Sequence, residues 1–291
     1  MKKALFAVFS ASGNTRKVCG LFSERLSSLG YGVTEISVRK DTEKPDVNDY
    51  DVLCIAYPVH GFNAPQIVLD FAKDLQDSDG KGYYIIKTSG EPLRLNDASS
   101  RVLCRIMSGK GYECKGEFHY VMPYNMIFRH SDKMASLMWR AVKNAVPCDA
   151  AAIAAGADAV LKAGAGAKAA RAVFAVEHAG MPLLGRFFKA DADKCVRCGK
   201  CAKLCPTNNI ALKDGVPEFG GGCLGCTACS FNCPVDAINI GLLNGWKVNG
   251  AYRFDEDTPA ECDESDICRY CRSSYVRYFS AHGIKVNKTR I

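Results

Sequence analysis

The spacing Cys195-x2-Cys198-x2-Cys201-x3-Cys205-Pro206 returns 28 residues later as Cys223-x2-Cys226-x2-Cys229-x3-Cys233-Pro234. Three thiolates at two-residue gaps can wrap one iron-sulfur cube with little backbone, while the fourth, stiffened by its proline, points toward a second cube. Each run also carries an isoleucine five places after its last cysteine (Ile210, Ile238), which marks an internal duplication. Zinc is the competing reading, because Cys-x2-Cys pairs also bind it tetrahedrally. Zinc needs neither a third cysteine at the same gap nor a trailing Cys-Pro, and here both occur twice.

On this spacing, Cys195, Cys198, Cys201 and Cys233 hold one 4Fe-4S cluster, and Cys223, Cys226, Cys229 and Cys205 hold the other. The pattern resembles the bacterial two-cluster ferredoxins. A small α+β dicluster domain is therefore expected over 181–254.

The chain has 291 residues and 16 cysteines, with a formal net charge of +7. Its length suits about two domains. The first residues give a short apolar run without a cleavage pattern, which reads as a buried strand and not as a signal peptide. No stretch of about 18 residues is free of charge, so no membrane span is expected. Eight ligand cysteines beside eight others suit a reducing compartment, so a cytoplasmic location and an anaerobic host are expected. The positive excess is mild and diffuse, with no basic run interleaved with aromatics, which argues against nucleic acid. An acidic redox partner accounts for the sign equally well. The oligomeric state stays open, a homodimer included.

Upstream of the cysteines the pattern alternates. An apolar run at Lys3 to Phe9 leads into Ser10-Ala-Ser-Gly-Asn-Thr15, then into helical spacing over Lys17 to Leu29. Further strands are expected at Gly32 to Val38, Tyr50 to Tyr57, Gly82 to Thr88 and Glu113 to Val121, with helical patterns between most of them. Such a series predicts an α/β fold: a doubly wound, parallel, five-stranded sheet whose ligands gather at the carboxyl ends of the strands. Three loops fall at those ends. They are Ser10 to Thr15, Pro58-Val59-His60-Gly61-Phe62 with the residues up to Pro65, and Ser89-Gly90-Glu91. The first aims backbone N–H groups and a helix N-terminus at one point, and the hydroxyls of Ser10, Ser12 and Thr15 add donors, so an anion fits there.

The Ser-x-Ser-Gly-Asn-Thr loop resembles the phosphate loop of flavodoxins, with serine where the family often has threonine. That resemblance implies a flavodoxin-like domain over 1–180 with FMN as cofactor. Ser10, Ser12, Gly13, Asn14 and Thr15 would hold the phosphate. Pro58, Val59, His60, Gly61 and Phe62 on one side, and Ser89, Gly90 and Glu91 on the other, would flank the ring. His60, Phe62 and Tyr124 are the aromatic candidates to lie against it, although His60 reads equally as a solvated loop residue and Phe62 as packing under its own loop.

From Met122 to about Ala179 the composition favours a sheet-packing helix and a helical connector, with Pro147 and the glycines near Gly164 expected to break the run. Phe187-Phe188 is expected beneath the first cluster. Gly245 to Phe254 reads as a strand or extended loop, and Thr258 to Gly283 as a closing helix in a tail spanning 255–291. Cys262, Cys268 and Cys271 could make a third metal site. No fourth ligand is near them in sequence, and ordinary thiols are the favoured reading.

The whole arrangement resembles the flavodoxin-ferredoxin fusion proteins of anaerobes, over residues 2 to about 254. That resemblance implies electron transfer between FMN and two 4Fe-4S clusters. The alternatives are a flavin-dependent reductase fed by the clusters, with His60, Tyr124 or His119 as proton donor, and a flavin-free sensor or docking module.

Overall fold

The structure is a computed structural model and describes residues 1–288. The first half runs β1 (Lys2–Val8), α1 (Asn14–Ser28), β2 (Tyr31–Ser37), β3 (Val52–Pro58), α2 (Gln66–Asp74), β4 (Gly82–Ser89), α3 (Arg101–Gly109), β5 (Glu113–Val121) and α4 (Asp132–Ala154). All five strands are parallel in the order β2-β1-β3-β4-β5. This is the flavodoxin-like doubly wound order, and its switch point lies between β1 and β3.

The period of two along β1 explains why both faces are covered. Leu5, Ala7 and Phe9 pack with Ile67, Val68 and Leu103 beneath α2 and α3. Ala4, Phe6 and Val8 pack with Phe22, Trp139 and Val146 beneath α1 and α4. A parallel sheet buried on both faces is built from such continuous apolar strands.

The second half continues with α5 (Ala165–Leu184), β6 (Lys189–Ala190), α6 (Lys200–Leu204), β7 (Ile210–Lys213), β8 (Val216–Phe219), α7 (Ala228–Phe231), β9 (Ile238–Asn239), β10 (Glu261–Asp263), α8 (Arg272–Ala281) and β11 (Lys285–Asn287). Three two-stranded sheets form: antiparallel β6-β9 and β7-β8, and parallel β10-β11.

Several sequence expectations need correction. Pro147 does not break the helix; it sits inside α4. A mid-helix proline costs about 3 kcal/mol. Burial of Trp139, Val142, Val146, Ala150 and Ile153 on the sheet outweighs that, at about 1.5–3 kcal/mol for each large apolar side chain. The interruption comes later, between Ala154 and Ala165, where Gly156 takes a left-handed φ of 68° and Gly164 caps α5. Among the described residues of the tail only Arg272–Ala281 is α-helical; Cys262 lies in β10 instead. Residues 241–246 form a 3-10 turn, and Met126 makes an isolated bridge to Lys247.

Candidate functional site

At the carboxyl ends of β1, β3, β4 and β5 the fold leaves a cavity of about 660 Å³, well within the range for cofactor pockets. The first wall is the β1–α1 loop, from which Ala11, Ser12, Asn14 and Thr15 line the space. Gly13 takes φ 94° at the N-cap of α1, which a side chain would strain, and among the described residues no side chain caps the helix and no acid lies in its first turn. The positive end of the α1 dipole therefore stays available to an anion. Ser10 is engaged locally, its Oγ accepting the Arg16 backbone N–H at 3.3 Å, and neither it nor Gly13 lines the cavity. The buried Thr15 hydroxyl lies 2.9 Å from that of Thr88, and Asn14 Nδ2 donates to the Pro123 carbonyl at 2.8 Å.

Pro58, Val59, His60, Gly61 and Phe62 form the second wall. His60 and Asn63 exchange backbone hydrogen bonds of 3.0 and 2.8 Å, closing a tight loop in which Gly61 and Phe62 both have positive φ. Asn63 Nδ2 secures this loop to the Gly61 carbonyl and, on α5, to the Arg171 carbonyl.

The third wall holds Ser89, Gly90, Glu91 and Tyr124. Glu91 is buried, with Oε2 accepting from the Tyr124 hydroxyl and Oε1 from Asn96 Nδ2 at 3.1 Å. Burial holds its carboxyl above the usual range despite those bonds. A Cβ on Gly90 would fall 2.1 Å from the Tyr124 ring, so only glycine lets that ring sit there. His130 stacks on Tyr124 at 5.2 Å. Its Nδ1 accepts the Tyr124 backbone N–H. The Tyr275 hydroxyl donates to the Gly90 carbonyl, so His130 Nε2 must carry the proton shared with Tyr275. Burial lowers His130 to about 4, which keeps this tautomer neutral. His119 approaches the Ser89 hydroxyl at 2.7 Å but lies outside the cavity, and burial lowers it to about 3, so it is no proton donor to the site.

The roof has no signature in the sequence. Phe174, Met181 and Leu184 of α5, Leu224 and Gly225 between two cysteines, Trp246, and Tyr270 of the tail all line the same cavity. Phe174 meets Phe62 edge-on at 5.0 Å, and Gly225 approaches Met181 so closely that a Cβ there would lie 2.1 Å from its methyl carbon.

Two smaller cavities lie in the cysteine-rich part. Cys195, Cys198, Cys201 and Cys233 line one, together with Pro234. Cys205, Cys223, Cys226 and Cys229 line the other, together with Pro206. The duplication extends to the backbone: Arg197 and Gly225, Gly199 and Thr227, and Asn208 and Asp236 are pairs at the same offset, all with positive φ. It also reaches the sulfurs, since Asn209 N–H points at Cys205 Sγ (3.3 Å) and Ala237 N–H at Cys233 Sγ (3.2 Å). Four sulfurs around each cavity, with amides aimed at them, form a donor set that suits a thiolate-bound cluster. Burial pushes the Cys226 thiol up to about 12, so as a free thiol it stays protonated.

Phe188 lines the Cys205 and Cys223 cavity and not the Cys195 one, contrary to expectation, while Phe187 stays half exposed. In the tail, Cys268 and Cys271 pack against the apolar cluster that contains Cys262. Among the described residues the three do not converge as metal ligands.

The Cys205 and Cys223 side faces the α/β domain. Arg39 donates to the Cys205 carbonyl at 2.8 Å, Asn125 to the Cys226 carbonyl at 3.0 Å, and Lys40 N–H to the Pro206 carbonyl at 2.9 Å. Cys226 and Ala228 join the apolar cluster beneath α2 and α3. Cys198 and Val196, beside the other cavity, are exposed.

Comparison with known proteins agrees with this division. A family model described as "4Fe-4S binding domain" matches residues 188–211. An uncharacterized ferredoxin of Methanocaldococcus jannaschii is 35% identical over 69 residues, 23% of this chain and 46% of that protein. The chain thus spans less than half the length of that relative. Among solved structures, a short-chain flavodoxin associated with a PDU bacterial microcompartment is 17% identical (TM-score 0.41), covering 54% of this chain and 99% of that one. A flavodoxin from the domain Archaea is 12% identical (TM-score 0.38; 53% and 99%). Flavodoxin 1 of Bacillus cereus is 16% identical (TM-score 0.37; 42% and 86%).

The sheet order and the matched cysteine segment define the class: a flavodoxin-like α/β domain fused to a ferredoxin-type 4Fe-4S region. Among the described residues no helix is long and apolar enough to cross a membrane.

Proposed function

We propose that the chain relays electrons between FMN, held in the large cavity, and two 4Fe-4S clusters. The cluster of Cys205, Cys223, Cys226 and Cys229 would lie beside the flavin, and that of Cys195, Cys198, Cys201 and Cys233 would face outward. The observation that carries this order is Leu224, which lines both the large cavity and the Cys223 cavity. When bound, a flavin exchanges electrons in pairs or singly, and each cluster carries one.

The chain's own residues supply the rest. Ser12, Asn14, Thr15 and the α1 N-terminus suit the phosphate. The Pro58 to Phe62 and Ser89 to Glu91 loops suit the two sides of the ring, and α5 excludes water above it. Arg197, Lys200 and Lys203 are exposed around the outward cluster, which favours an acidic redox partner there.

A second reading, reduction of a small molecule at the flavin, is favoured by one observation. The buried Glu91 carboxylate and the Tyr124 hydroxyl that donates to it line the cavity together and form an acid–base pair suited to such a reaction.

The test is photoreduction of the clusters in anaerobic protein. Electrons should reach the flavin at a rate independent of protein concentration, because the centres share one chain. A rate proportional to concentration overturns the relay. Protein that binds no flavin overturns both readings and leaves a sensor or docking module.

A further inference from the structure

One polar cluster in the core belongs to none of these cavities. It lies beneath α3, between the amino end and the middle of β5, and none of its three candidate ligands lines the cavity at the carboxyl ends of the strands. Cys104 comes from α3, and Cys114 and Glu117 come from β5. Three residues apart on a regular strand, Cys114 and Glu117 would face opposite sides of the sheet. They do not, because β5 has an irregularity there: Tyr83 pairs with Cys114 but Tyr84 pairs with Gly116. The extra residue resets the alternation and turns both side chains toward α3.

As a result, Cys104 Sγ, Cys114 Sγ and a carboxylate oxygen of Glu117 all lie within 4.8 Å of one another. Metal–ligand bond lengths for zinc put tetrahedral S–S and S–O separations at about 3.6–3.8 Å. Side-chain movements of about 1 Å or less would close the set.

Two further observations point to an ion. Tyr83 is 1% exposed, and its hydroxyl lies against both sulfurs, yet it makes no properly aligned hydrogen bond among the described residues. The acceptors it faces are the two sulfurs, which as neutral thiols accept only weakly. A metal-bound thiolate accepts far better than a neutral thiol. The charges agree as well. Lys87, fully buried, pairs with Glu117 Oε2 at 2.9 Å, and Ser100 donates to the same oxygen, leaving Oε1 for a metal. With neutral thiols the group sums to zero. With a divalent cation and two thiolates it again sums to zero, so a metal enters without leaving net buried charge.

We propose that Cys104, Cys114 and Glu117 bind a thiophilic divalent cation of the zinc type, pinning α3 to the irregular start of β5. Two S–H bonds break, two protons leave, and two metal–sulfur bonds and one metal–oxygen bond form, with no change of oxidation state. Water completes the fourth position. Lys87 and Ser100 orient the carboxylate, as outer partners of metal ligands do.

The test is metal analysis of the full chain, purified anaerobically and equilibrated with equimolar ZnCl2. One zinc should be retained per chain beyond that held by the Cys104→Ser/Cys114→Ser double variant, with iron content the same in both. Zinc-edge X-ray absorption, which does not see the iron, should show two sulfur neighbours at about 2.3 Å and oxygens at about 2.0–2.2 Å. Affinity should fall about a hundredfold per unit of pH below neutrality, because two protons compete. Should the double variant not fold, Glu117→Gln must weaken zinc binding while keeping both sulfurs. Equal zinc in wild type and variants, or a Cys104–Cys114 disulfide in protein never exposed to oxidant, overturns the proposal.

Discussion

Replacing Thr15 by valine removes one hydroxyl at nearly constant volume and separates two effects that usually come together. Thr15 and Thr88 are 1% and 2% exposed, and their hydroxyls are 2.9 Å apart. The lost Thr15–Thr88 bond leaves the Thr88 oxygen buried and unpaired, which costs about 1–3 kcal/mol of stability. That cost is the same with and without flavin, so it cancels from the affinity. What remains is the charge-assisted bond from Thr15 to the proposed phosphate, about 1.5–3 kcal/mol, or a roughly 10- to 150-fold weaker Kd. Thr88→Val makes the matching control. It loses the same internal bond and a similar amount of stability, while the Thr15 hydroxyl is still free to donate, so affinity should stay within about threefold of wild type. The assay is anaerobic titration of the flavin-free protein with FMN, followed by quenching of flavin fluorescence, with denaturant unfolding run in parallel. Equal losses of affinity in the two variants, or none in Thr15→Val, would place the phosphate elsewhere and refute the reasoning.

Cys233→Ala should lower iron from about eight to about four per chain, with the spectroscopic loss at the Cys195, Cys198 and Cys201 cluster; loss confined to the Cys223 cluster would sink the crossed ligand sets. His130, lowered to about 4 in the folded state against about 6.5 when unfolded, stays neutral only in the fold, so its stabilisation is complete above about pH 6.5 and disappears as pH falls toward 4. At pH 5 the loss amounts to about 2 kcal/mol, and His130→Gln should remove that acid-dependent part of the stability curve; identical curves for the two proteins would assign the pH dependence to other groups.

The limits of β5 and the start of β4 are legible in the sequence, because β4 opens an apolar run just after Gly80 and Lys81 while Gly111 and Pro123 bracket β5. The second and third strands begin one or two residues away from where their patterns place them. Tyr50 reads as strand by propensity, but the 3-10 turn at Val47–Asp49 runs up to it. Pro147 misleads for a different reason: local chemistry says stop, whereas five buried side chains on the face of α4 hold the helix together through it.

Within the site, the loop residues that line the cavity can be found because each follows a strand. The roof cannot. Nothing in the Ala-rich run 165–184 says that Phe174 and Met181 face Phe62 and Gly225, since both partners lie far off in sequence. The Cys104, Cys114 and Glu117 cluster is hidden by the irregularity in β5, which defeats any reading that counts residues by twos.

Because Leu224 and Gly225 sit between two cysteines and also close the large cavity, damage to the proposed inner cluster would not stay local. Were that cluster lost to oxidation, the loop would be freed, the Gly225 backbone would part from Met181, and the cavity would open from above. Flavin would then leave at a rate set by the integrity of the iron site. On the proposed reading, a protein wired in this way would become dark at both centres after one oxidative event, so that a half-damaged molecule would not go on passing single electrons to oxygen.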